Sequence, residues 1–99
     1  MIVLVNLKEG VSDEDYERWL EERYVPAVLR LASVDEWRGY RVSGLPESRG
    51  DPPCQYVVSV EIDDLDQLGR DINSEQMQLL LGELQQFADV TQLLTERFV

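Results

Sequence analysis

The sequence predicts an α+β fold of the ferredoxin-like type, with elements in the order β-α-β-β-α-β. Three observations support this prediction. Short runs rich in β-branched and aromatic residues occur at 2–7, 36–43, 55–62 and 91–99. Helical patterns separate the first run from the second and the third from the fourth, and a loop rich in Gly and Pro, residues 44–54, joins the middle pair as a hairpin. Residues 1–99 are therefore expected to form one domain.

The first half of the chain gives one strand and one helix. Residues 2–7 are apolar and too few for a helix, and Gly10 ends this strand. Ser12 is the predicted N-cap of a helix over residues 13–23 or slightly further, because acidic residues in a first turn suit the helix dipole. Pro26 is expected to break that helix, and a short turn over residues 27–31 follows.

The third strand has the clearest pattern. Its alternate residues Tyr56, Val58, Val60 and Ile62 form an apolar face that suits a helix-packed core, while the opposite face is mixed. A second helical region begins near residue 63 and breaks near Asn73, where Ser74 looks like a new N-cap. Four antiparallel strands would then be covered by helices on one face only.

The uncovered face of this sheet predicts self-association. It is expected to carry Ile2, Leu4, Trp37 and Val57, an apolar patch that is large for a monomer. Two sheets packed face to face would hide the patch, so we expect a homodimer with the form of a dimeric α/β barrel.

The composition excludes several classes of function. Twenty acidic residues against nine basic ones give a net charge of −11, which argues against binding to nucleic acid or to an anionic membrane surface. The sequence has no histidine, so the commonest general base, haem ligand and zinc ligand is missing. We expect no metal and no cofactor. The single cysteine excludes an internal disulfide, and without a signal peptide or a membrane-length apolar run a cytoplasmic protein is expected.

Four short motifs in one register resemble a known family. They are Y-E-R-W at 16–19, Y-V-P at 24–26, L-A-S-V at 31–34 and Y-R-V-S-G at 40–44. Together they resemble the REDY-like (HapK-type) branch of the dimeric α/β-barrel superfamily, over nearly the whole chain. Tyr24, Val25 and Pro26 stand where that family often has Asp-Tyr-Pro.

The resemblance implies a role in natural-product biosynthesis, because members of this branch belong to pathways for pigments such as prodigiosin. It implies a small cofactor-free enzyme that acts on a hydrophobic or aromatic intermediate as a cyclase, isomerase or condensation catalyst. The alternative is a non-catalytic module that binds such an intermediate. An oxygenase of the haem-degrading kind ranks third, since no histidine is present to hold iron.

The mixed sheet face supplies the candidate site. Asn6, Trp37, Arg41, Ser59 and Glu61 are expected to point into the barrel, with Tyr24 near the pocket entrance. Glu61 is the candidate acid or base and Arg41 its partner; the other four are candidate ligand contacts. Asn6 is expected beside Glu61, on the assumption that the first and third strands run parallel. The alternative for Arg41 and Glu61 is a structural ion pair.

Overall fold

The computed structural model describes residues 1–47 and 50–99 and has the predicted order of elements. The loop predicted over residues 44–54 thus includes two positions, 48 and 49, that lie outside the described residues. The strands are β1 (Ile2–Leu7), β2 (Val34–Arg41), β3 (Tyr56–Ile62) and β4 (Ala88–Leu93). The helices are α1 (Asp13–Trp19), α2 (Val25–Val28), α3 (Leu65–Asp71) and α4 (Glu75–Phe87), and a π-helical segment (Leu20–Tyr24) joins the first two.

The four strands form one sheet in the order β2-β3-β1-β4, with every neighbouring pair antiparallel. The expectation that β1 and β3 run parallel is therefore wrong. In a β-α-β-β-α-β chain, the two strands that a helix connects run parallel to each other. A third strand lies between these two strands in the sheet. For β1 and β2 that middle strand is β3, and it must run the other way.

The strand registers define two chemically different faces. Residues that stand opposite each other in neighbouring strands share a face, so Val3, Val58 and Gly39 lie on one face. Two residues along each strand, Val5, Tyr56 and Arg41 lie on the same face. This covered face packs against the helices. The open face carries Ile2, Leu4, Val57, Ser59 and Glu61. The core between helices and sheet is Val3, Val5, Tyr16, Trp19, Ala27, Val28, Val34, Tyr56, Val58, Val60, Met77, Leu80, Leu84 and Ala88.

The helical direction continues through Pro26, contrary to the predicted break. The Val25 amide donates to the Leu20 carbonyl, five residues back, and the α-helical pattern has resumed where the Leu29 amide donates to Val25. Proline has no amide hydrogen to donate, and the wider π turn immediately before it accommodates that loss. Such turns occur often at functional sites.

The second helical region breaks as predicted, and each half has its own cap. Asp64 accepts from the Gln67 amide at the start of α3, and Ser74 accepts from the Met77 amide at the start of α4. The last strand begins three residues earlier than expected, at Ala88, and ends at Leu93. All six residues of β1 then have partners in β4, so residues 94–99 have no remaining positions on β1 to pair with.

The single chain is flat and has a large surface. Its extents are 42 × 37 × 17 Å and its accessible surface is 7144 Å². A compact monomer of 11.4 kDa is expected to expose roughly 5,800 Å². Among the described residues, no helix combines the length and the apolar character that crossing a membrane requires.

Candidate functional site

A small cavity lies between the helices and the covered face of the sheet. Its volume is about 150 Å³. Cavities of that size in other proteins take up a ring such as benzene. The side chains of the lining are apolar apart from two phenols, one amide and the indole of Trp37. The lining comprises Met1, Val3, Val5, Tyr16, Leu20, Tyr24, Val28, Leu31, Val34, Trp37, Val58, Val60, Leu68, Ile72, Met77, Leu81, Leu84, Val90 and Gln92.

Stacked aromatic rings support one wall of this cavity. The Trp19 ring lies 5.1 Å from the ring of Tyr24 and 5.1 Å from that of Phe87, and Tyr16 stacks on Trp19 at 6.3 Å. Burial raises the pKa of both Tyr16 and Tyr24, so the two phenols that line the cavity stay neutral at physiological pH. They are groups that can donate a hydrogen bond to a ligand.

A bidentate ion pair fixes the tryptophan in that stack. The Trp19 indole N–H donates to Glu83 Oε1 over 2.8 Å, and the Arg23 guanidinium donates to both oxygens of the same carboxylate. Hydrogen bonds from Arg23 and Trp19 lower the pKa of Glu83. This arrangement ties α4 to the π-helical segment and keeps the cavity wall in place.

A wider groove adjoins the cavity at the edge of the sheet. It runs between the helical segment 17–29 and strand β2, with a volume of about 750 Å³, which is within the usual range for small-molecule sites. It is lined by Glu17, Leu20, Glu21, Val25, Pro26, Leu29, Trp37, Gly39, Tyr40, Arg41 and Tyr56. Only Leu20 and Trp37 line both spaces, so these two side chains separate the cavity from the groove.

Gly39 allows the Trp37 indole to lie in this partition. A Cβ atom at position 39 would stand 2.9 Å and 3.0 Å from two atoms of the Trp37 six-membered ring. Such a separation is below van der Waals contact, so any other residue at position 39 would push the indole away. The pair thus places a flat aromatic ring across the boundary between the two spaces.

A polar cluster closes one end of the groove. The Tyr56 hydroxyl lies 2.7 Å from Asp13 Oδ1 and 2.7 Å from Glu17 Oε2. Arg41 donates from Nε to Glu17 Oε2 over 3.1 Å and from Nη2 to Glu17 Oε1. Helix geometry explains the convergence of the two carboxylates, because residues 13 and 17 are four apart on one helical face.

The contacts shift the pKa of Glu17 and that of Tyr56 in opposite directions. Hydrogen bonds from Arg41 and Tyr56 lower the pKa of Glu17. Burial, followed by the hydrogen bonds to Asp13 and Glu17, raises the pKa of Tyr56. At neutral pH Glu17 is therefore an ionised acceptor and Tyr56 a neutral donor.

The structure separates the predicted site residues. Ser59 and Glu61 lie on the open face as expected, next to Met1 and the chain end. Trp37 and Arg41 do not, because they stand opposite Val60 and Tyr56 on the covered face. Five strand positions, about 17 Å, separate Arg41 from the row of Glu61. The expected contact between Arg41 and Glu61 is therefore wrong, and Arg41 pairs with Glu17 instead.

Asn6 lies at the opposite end of the sheet from Glu61, contrary to expectation. Its side-chain amide donates to the Pro53 carbonyl over 3.2 Å and so helps to hold the loop before β3. Tyr24, expected at a pocket entrance, lines the inner cavity. Of the six predicted residues, Tyr24 and Trp37 line this cavity, Trp37 and Arg41 line the groove, and Ser59 and Glu61 lie together on the open face.

The sequence patterns did not reveal the polar cluster of Asp13, Glu17 and Tyr56 at the end of the groove. The sequence does contain a signal for this cluster. Asp13 and Glu17 are four residues apart, so they lie on one face of the helix. The first-turn acids were instead assigned to the helix dipole alone. Within residues 1–47 and 50–99, no group of three or more Cys, Asp or Glu side chains is placed to hold a metal ion.

Comparison with known proteins places the whole chain in one family. The family described as REDY-like protein HapK matches residues 1–98. The crystal structure of HapK from Hahella chejuensis superimposes with a TM-score of 0.73 at 17% identity, over 99% of this chain and 95% of that one. No curated protein matches the sequence.

Two further solved structures share the fold. A protein from Arabidopsis thaliana has a TM-score of 0.75 at 12% identity, with coverage of 99% of this chain and 95% of that chain. A member of the ethyl tert-butyl ether degradation (EthD) family from Bacillus halodurans has a TM-score of 0.62 at 14% identity, with coverage of 95% and 99%. At these identities the likeness is one of fold.

Proposed function

Because the chain belongs to the REDY-like HapK family, we propose that it binds a flat, hydrophobic intermediate of natural-product biosynthesis in the groove and the adjoining cavity. It acts on that intermediate without a cofactor, as a cyclase, isomerase or condensation catalyst. The observation that carries this proposal is the pair of mostly apolar spaces that adjoin at Leu20 and Trp37. A concave, mostly apolar site with a few convergent polar groups is typical of small-molecule sites.

The second candidate function is binding without catalysis. The cavity favours it, because the polar side chains in its lining are two neutral phenols, one amide and the indole of Trp37. These side chains orient a ligand through hydrogen bonds and ring stacking, but none of them is an acid or base near neutral pH. Chemistry would then depend on the polar cluster at the end of the groove.

We also propose that two copies associate through their open faces. The apolar side chains of that face include Ile2, Leu4, Val57, half-exposed Tyr40 and Leu93, which is 43% exposed. The excess of surface of one chain over that of a compact monomer, roughly 1,300 Å², is larger than the roughly 800 Å² that each partner buries in a standard interface. A homodimer at micromolar concentration is expected in native mass spectrometry, and a monomer alone would contradict it.

The function is tested by what the protein carries and what it converts. Protein purified from cells that contain its own pathway is denatured, and the released small molecules are identified by mass spectrometry. We expect a flat hydrophobic compound in near-stoichiometric amount. Adding this compound back without a cofactor distinguishes the candidates, since conversion faster than in buffer supports the enzyme, and binding without conversion supports the binding module.

The role of Glu61 as acid or base stays a prediction, and one substitution tests it. On the open face of one chain, Glu61 has no contact with the groove, so a role in turnover requires a ligand held between two copies. Glu61→Gln is expected to reduce turnover by roughly 10²-fold if Glu61 transfers the proton. Unchanged turnover in the intact dimer would rule that role out.

A further inference from the structure

The shape of the groove restricts what it can hold. One wall is the apolar helical surface of Val25, Pro26 and Leu29, and the other is the backbone of β2 at Gly39, which has no side chain. The Trp37 indole lies across the inner end beside Gly39. Aromatic groups stack well on such a surface, so a planar ligand makes more contact with the two walls than a branched ligand does.

The polar end of the groove has at least one acceptor position to offer. A carboxylate has about four lone-pair sites. At most three contacts occupy Glu17 in the described part of the chain: two from Arg41, and one from the single hydroxyl hydrogen of Tyr56 when it points to Glu17 and not to Asp13. The remaining site is on Oε1, and about a third of the Glu17 side chain, 35%, is accessible. A donor on a ligand can therefore reach this carboxylate without displacing a protein partner.

Charge balance further restricts the class of ligand. The guanidinium of Arg41 lies against Glu17 and offsets its charge, while Glu21 in the groove lining adds a further acidic side chain. A neutral O–H or N–H gains a charge-assisted hydrogen bond, since the Glu17 carboxylate stays ionised at neutral pH. A ligand therefore needs no charge of its own to bind at Glu17.

We propose that the groove selects planar aromatic molecules that carry a neutral O–H or N–H group, which donates to the Glu17 carboxylate while the ring stacks against Trp37. This inference rests on the proposed function and names its class of ligand. It makes Glu17 a specificity-determining residue.

A matched pair of probes tests the inference. 2-Naphthol and 2-methoxynaphthalene have the same ring system, but only the first has a hydrogen to donate. Titration calorimetry of the wild-type protein at pH 7 is expected to show 2-naphthol binding about 10- to 100-fold more tightly, the range for a hydrogen bond to a charged group. If neither probe binds below about 1 mM, the proposed function fails at this site. Equal binding of both overturns the inference alone.

Two variants locate the acceptor. In Glu17→Gln the preference for 2-naphthol is expected to fall to within about threefold, because a neutral amide is a weaker acceptor. Glu14→Gln is the control, since Glu14 is on the same helix, pairs with Arg18 and lies outside the groove. It should keep the full preference. A preference that survives in Glu17→Gln would overturn the assignment, and circular dichroism confirms that both variants are folded.

Discussion

The two faces of the sheet are built from neighbouring residues of the same strands, yet they have different fates. On β3, Val58 and Val60 lie on the covered face and are each 5% exposed. The alternating residues Ser59 and Glu61 lie on the open face. The covered face has helices, a cavity and a groove against it. The open face has apolar side chains and no element of the described chain packed across it.

This difference separates two roles that the sequence had placed together. The expected site combined residues of both faces in one barrel interior. The structure instead gives the covered side and its β2 edge the features of a ligand site. It leaves the open side with the features of a self-association surface.

The largest expected effect comes from placing the same charge on each face of β3. Val58→Asp puts a carboxylate among core side chains, so we expect more than about 4 kcal/mol of destabilisation and an unfolded chain in circular dichroism. Val57→Asp, one residue away on the open face, should leave the monomer folded and abolish the dimer in size-exclusion chromatography. Two folded dimeric variants would contradict the division between the faces.

A polar contact also holds the covered side, where the chain enters β2. Ser33 is fully buried, and its amide and hydroxyl both donate to Asp71 Oδ2, over 3.1 Å and 2.7 Å. Ser33→Ala removes the hydroxyl and should lower the free energy of unfolding by about 1–2 kcal/mol in urea titrations. Gln85→Ala, at an exposed position of α4, is the control, with a change within about 0.5 kcal/mol.

The same contact predicts a pH dependence with a defined sign. Hydrogen bonds from Ser33 and then from Gln67 lower the pKa of Asp71 from its ordinary value of 3.8. The stabilisation is therefore complete above that value and is lost as the pH falls through the lowered folded-state pKa. Thermal melts should show that the gap between wild type and Ser33→Ala is wider at pH 7 than at pH 2. A gap that grows on acidification would contradict this account.

A smaller effect is expected from moving the partition between cavity and groove. Gly39→Ala forces the Trp37 ring to shift, because the new methyl group would stand 2.9 Å from it. We expect an altered fluorescence emission of Trp37, weaker binding of 2-naphthol by about tenfold, and a stability loss below about 1.5 kcal/mol. Native binding and an unchanged spectrum would show that Trp37 does not form the partition.

The smallest effect belongs to the solvent-facing side of α4, which takes part in neither role. Gly82 is exposed, and a Cβ atom there would have no neighbour within 4 Å. Gly82→Ala should stabilise the protein by about 0.5–1 kcal/mol through helix propensity alone. Ligand binding and dimer formation should not change, and calorimetry with size-exclusion chromatography checks both.

Local patterns predicted most of the fold, because they record local physics. The alternation in β3, the acids after Ser12 and the cap at Ser74 led to the correct element order. The break at Pro26 was wrong because a π turn, which leaves no sequence mark of its own, absorbed the proline.

The candidate site was harder, because it depends on which face of β2 is covered. Over residues 37–42, one face carries Trp, Gly and Arg and the other carries Arg, Tyr and Val. Neither face is clearly more apolar, so the sequence does not show which one packs against the core. Only the pairing of Trp37 with Val60 decides the question, and this pairing is not encoded locally. The antiparallel relation of β1 to β3, by contrast, follows from the element order and was available from the start.

The most direct test of the division between the faces is to map the binding of one probe residue by residue. Wild-type protein labelled with ¹⁵N is titrated with 2-naphthol and followed by two-dimensional amide NMR. The account predicts that the largest shift changes occur at the Trp37 indole N–H and at the amides of Gly39 and Glu17. Largest changes at Ser59 and Glu61, with the groove unaffected, would contradict it and return the site to the open face.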